Sequence, residues 1–92
     1  MEPDDTEDKS LLTFPTLFPI KVMGRREEGY AQAILEVVMR HAPDFDPATM
    51  EMRPSKAGTY LSLTVTINAR SRGQLDALYR DLSGHPMVTM VL

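Results

Sequence analysis

Tyr60-Leu61-Ser62-Leu63-Thr64-Val65-Thr66-Ile67-Asn68-Ala69 decides the fold: its odd positions are aliphatic, and its even positions after Tyr60 are hydroxyls or an amide. Successive strand residues point to opposite sides, so this alternation predicts a strand with one dry face and one wet face. Upstream, Lys56-Ala57-Gly58-Thr59 reads as a turn. Before it, Thr49 to Arg53 alternates Met50 and Met52 with Thr49, Glu51 and Arg53, a short strand that its charges and Pro54 assign to a sheet edge. Downstream, Ser71 followed by Gln74 matches a capping box, which opens a helix with Leu75, Leu78, Tyr79 and Leu82 on one stripe and Gly84 at its end. Met87 to Leu92 then reads as a last strand.

The N-terminal half repeats the same grammar. Leu11 to Pro19 alternates apolar residues with two prolines, which exclude a helix, and its first part is an extended lead-in that packs Phe14 before the strand pattern settles from Phe18. In the first strand Phe18, Ile20 and Val22 face one way and Pro19, Lys21 and Met23 the other, with Gly24 as its end. Arg25 to Gly29 is a polar connection or a first helical turn. Tyr30, Ile34, Val37, Val38 and His41 then recur at helical spacing with Ala31 and Leu35 flanking them, and Pro43 stops that helix. Phe45, in the loop that follows, is expected to close one end of the core.

Strand-helix-strand-strand-helix-strand, with two singly striped helices that need the same sheet face, predicts an α+β sandwich of ferredoxin-like βαββαβ form: a four-stranded antiparallel sheet with two helices on one face. Strands one and three fall at the centre, two and four at the edges. The other face is bare and is expected to carry Lys21, Met23, Ser62, Thr64 and Thr66, a hydrogen-bonding surface of small residues.

Residues 1–12 read as a disordered acidic tail and residues 13–92 as a single domain. The tail holds Glu2, Asp4, Asp5, Glu7 and Asp8 against Lys9; removing its net −4 from the chain's −3 leaves +1 for residues 11–92. A near-neutral domain offers no broad positive field for a phosphate backbone, and Tyr60 is the only aromatic at the positions where RNA-recognition motifs stack bases, so RNA binding is a minor reading. With no Cys there is no disulfide, thiolate nucleophile or zinc-thiolate site, which agrees with a cytoplasmic setting. No apolar run approaches the length of a membrane span.

The candidate reactive groups have structural explanations. His41 sits in the last turn of its helix, where the ring can bond free carbonyls and a positive charge meets the negative helix end. His85 precedes Pro86 in a loop, and two isolated histidines make no metal site. Glu27 with Glu28, and Asp44 with Asp46, are surface carboxylates rather than an acid-base pair, and no Ser or Thr has a partner placed to activate it. No cofactor is implied. The methionines are expected to fill core gaps, with Met23 and one of Met87 or Met90 facing outward.

Phe14-Pro15, Phe18-Pro19, Lys21-Val22-Met23-Gly24, Val37-Val38 through His41-Ala42-Pro43, Thr64 to Ala69 and Val88 to Leu92 together resemble the YbeD-like family of small bacterial cytoplasmic proteins of unknown function. The resemblance implies a ferredoxin-like fold similar in shape to ACT regulatory modules, and no established activity. If the likeness extended to function, a ligand would sit at Gly24, Arg25 and Arg26, near the start of the first helix. Two functions therefore stand as expectations. One is a non-enzymatic regulatory or adaptor domain that acts by protein contact, self-associating through an edge strand or the bare face. The other is an ACT-like sensor of amino acids or carboxylates.

Overall fold

A computed structural model describes residues 13–92. The tail expectation for residues 1–12 falls outside these. The elements are β1 (Thr16–Arg25), α1 (Tyr30–His41), a 3-10 turn (Pro47–Thr49), β2 (Glu51–Pro54), β3 (Tyr60–Ala69), α2 (Arg72–Ser83) and β4 (Val88–Val91). The sheet order is β2-β3-β1-β4 with every pair antiparallel, as expected from the pattern. Both helices cover one face: Tyr30, Ile34, Val37 and Val38 of α1 and Leu75, Leu78 and Leu82 of α2 share a core with Ile20, Val22, Leu63, Val65 and Ile67. Phe45 closes that core, and Phe14 packs against it. Phe18 and Tyr79 meet edge-on with ring centroids 6.5 Å apart.

Burying the dry side of β3 dominates its stability. Val65→Ala leaves a void and should cost about 1–3 kcal/mol, whereas Thr66→Ala, on the opposite and exposed side, should cost well under about 1 kcal/mol. Urea denaturation of the two variants checks the contrast.

Three strands differ from the sequence reading at their ends. β1 starts at Thr16 rather than Phe18 and does not end at Gly24 but runs through Arg25, because β3 supplies partners at both ends, Ala69 to Thr16 and Tyr60 to Arg25. β2 starts two residues later than Thr49, because Asp46 turns the chain first: its carboxylate accepts from the Ala48 amide at 3.0 Å, capping the 3-10 turn. β4 spans Val88–Val91, with Leu92 still bonded to Lys21 in both directions.

Pro19 in a central strand has a local reason. Backbone groups of alternate strand residues point to opposite neighbours, so Pro19 shares the β4 side with Lys21. Lys21 bonds to Leu92, and the β4 ladder stops there, so no carbonyl waits for an amide at Pro19. Pro54 lies likewise on β2: Ser55 donates to Tyr60 across the hairpin at 2.8 Å, which turns the Pro54 nitrogen away from β3 to the open edge.

Two side chains join the helices. Ser71 accepts from the Gln74 amide at 3.1 Å, as the capping box requires, but the Gln74 side chain reaches the Arg70 amide at 2.6 Å rather than that of Ser71. Its Nε2 donates to the His41 carbonyl at 2.8 Å, so one residue opens α2 and closes α1.

Candidate functional site

The register assembles the uncovered face in rows. Glu51, Thr64, Lys21 and Leu92 form one row across the four strands, and Arg53, Ser62, Met23 and Met90 the next. Pro19 pairs with Thr66, Leu17 with Asn68, and Arg25 with Tyr60. Lys21, Met23, Ser62, Thr64 and Thr66 therefore share this face, and Glu51 and Arg53 join them.

The face is not uniformly hydrogen-bonding. Leu17, Met90 and Leu92 are exposed to 72%, 48% and 61%, which makes its β4 side and the start of β1 apolar, while Lys21 with β2 and β3 leaves the other half polar. Parity along β4 hid this, because the register shifts between Met23 and Gly24: Met90 pairs with Met23 but Val88 pairs with Gly24. Thr89 is the extra residue of a bulge, so Val88 packs inward while Met90, two positions on, faces out. Met52, expected in a core gap, is 58% exposed, because β2 is an edge strand with no helix above it.

The loop after β1 is occupied by the protein itself. Gly24 is buried, and a Cβ there would lie 2.7 Å from Tyr30 Cε1, so the glycine makes room for the ring. The Tyr30 hydroxyl donates to the Val22 carbonyl at 3.1 Å, and burial pushes its pKa up to about 12. The Arg26 amide donates to Thr59 at 2.8 Å and that of Glu27 to Arg25 at 2.8 Å. Arg25 and Arg26 are exposed, with Arg25 Nε 3.8 Å from Glu27.

The other candidates have structural partners. His41 was expected to bond free carbonyls; instead its Nε2 lies 2.6 Å from Asp81 Oδ2, because α2 packs alongside, and Gln74 takes the helix-end carbonyl. The hydrogen bond from His41 is the main cause holding the Asp81 carboxyl below its ordinary value. His85 Nδ1 accepts from the Met87 amide at 3.1 Å, and Asp44 lies 3.2 Å from Arg70. Among the described residues no group of three His, Asp or Glu side chains could hold a metal ion, and no helix is long and apolar enough to cross a membrane.

Comparison with known proteins bears out the resemblance read from the sequence. The model of a family described as protein of unknown function, DUF493, matches residues 9–92. A UPF0250 protein of Leptothrix cholodnii is 56% identical over 89 residues, covering 97% of this chain and 98% of its own length. One from Bordetella pertussis is 58% identical over 85 residues, covering 92% and 93%. Among solved structures, protein HP0495 from H. pylori superposes with a TM-score of 0.72 at 16% identity, over 88% of this chain and 85% of that one. The ACT domain of GTP pyrophosphokinase from Chlorobium tepidum gives 0.66 at 18% identity, over 84% and 83%. These likenesses establish a ferredoxin-like, ACT-type fold.

Proposed function

The chain belongs to the DUF493 family of proteins of unknown function, and from that premise we propose that it is a non-enzymatic regulatory or adaptor domain that works in the cytoplasm by protein contact, pairing with a second copy through β4. The carrying observation is the difference between the two sheet edges. β2 is blunted by Glu51, Arg53 and the outward Pro54 nitrogen, all devices that discourage strand addition. β4 carries none of these: Val88 to Val91 has no charge and no proline. Because Met90 and Leu92 face β1 with their backbone groups, those of Val91 turn outward.

An antiparallel second β4 uses these groups reciprocally, with Met90 opposite Met90 across a two-fold axis. Such pairing merges the two apolar half-faces at the centre of one extended sheet. Met90→Lys sets two like charges across that axis at an exposed position, so the fold should survive while self-association weakens by about tenfold or more. Sedimentation equilibrium of parent and variant measures it. A parent that stays monomeric at high concentration removes the proposal.

An ACT-like sensor of amino acids or carboxylates at Gly24, Arg25 and Arg26 has weaker support. Tyr30 fills the space beside Gly24, and the Arg26 and Glu27 amides are already used within the chain.

A further inference from the structure

We propose that the polar half of the uncovered face is a binding site for a small oxyanion, a carboxylate or a phosphate, held between Lys21 and Arg53 over the hydroxyls of Ser62 and Thr64. The two cations lie diagonally across β3, two strands and one row apart. Strand spacing of about 4.8 Å and a rise of about 3.4 Å per residue put their Cα atoms about 12 Å apart, a gap that two long side chains span from either side. Beneath them the surface is hollowed. One depression of about 470 Å³ is lined by Lys21, Glu51, Met52, Arg53, Ser62 and Thr64. A second, of about 370 Å³, shares Lys21, Arg53 and Ser62 and reaches Tyr60.

Among the described residues, four groups here have no partner. Among the described residues neither Lys21 nor Arg53 enters an ion pair, although Arg25, Arg70 and His41 all do. The Ser62 and Thr64 side chains are half-buried and make no hydrogen bond among the described residues. Two cations and two hydroxyls converging on one hollow supply the donors that an oxyanion needs. Glu51, in the same row as Lys21, sets the size of the guest: it repels a polyanion that tracks along the sheet, and accepts from a hydroxyl or ammonium beside the bound anion. The second depression also borders Met23 and Leu92, so the two proposals are told apart by readout, pairing by sedimentation and binding by chemical shift.

The test is titration of the ¹⁵N-labelled full chain with inorganic phosphate and with citrate, at ionic strength held constant by sodium chloride. Saturable shifts centred on Lys21, Arg53, Ser62 and Thr64 are expected, and the stronger of the two probes identifies which oxyanion the site prefers. Lys21→Gln combined with Arg53→Gln, both exposed positions, should weaken binding by about tenfold or more without disturbing amides elsewhere. Glu51→Gln should tighten inorganic phosphate. Shifts that chloride alone reproduces, shifts confined to residues 23–26, or no saturable shift with either probe overturn the proposal.

Discussion

Gly24→Ala should lower stability by about 3 kcal/mol, the upper part of the range for forcing volume into a packed core. The added methyl would collide with the Met87 carbonyl oxygen and sit 2.7 and 2.8 Å from two atoms of the Tyr30 ring. Neither neighbour can yield cheaply, since one is backbone at the entry to β4 and the other is a fully buried ring. For a domain of this size the loss corresponds to a fall in melting midpoint of roughly 12–24 °C. Thermal unfolding followed by circular dichroism reads it, and amide exchange should quicken first over Val88–Val91. A variant melting within a degree or two of the parent would show that the glycine is not a packing residue and would return it to the ligand-loop reading.

Tyr30→Ala should cost about 3–5 kcal/mol, because it empties the largest fully buried side chain at the junction of α1, β1 and β4. Tyr30→Phe keeps the ring and loses only the hydrogen bond to Val22, for about 1 kcal/mol. The phenol also predicts an alkaline limb. Its folded pKa, raised to about 12 from 10.0, means that between those values the native state keeps a proton that the unfolded chain has released. Stability therefore falls as pH rises from about 10 to about 12, by on the order of 2–3 kcal/mol. Denaturant midpoints across that window should show the decline in the parent and a much flatter limb in Tyr30→Phe.

What the sequence disclosed followed from period and punctuation. The alternation of Leu63, Val65 and Ile67 and the helical stripes of Tyr30–Val38 and Leu75–Leu82 were each unambiguous, so layers, strand order and core could be read directly. Gly24 misled, because a glycine that ends a strand and one that makes room for a ring look alike in one dimension. The uncovered face was legible only where one strand side was polar. On β4 both sides are largely apolar, and the bulge at Thr89 reverses parity between Val88 and Met90, so the apolar half of the face could not be assigned without coordinates. His41 and Asp81 lie 40 residues apart, and only the packing of the two helices brings them together.

The proline at the free side of β2 limits growth. A ribbon of stacked subunits needs two receptive flanks on every molecule, one to donate to and one to accept from the next. With Pro54 spoiling the first flank, each chain offers a single seam, so the β4 pairing proposed above would close at two and not propagate into fibres.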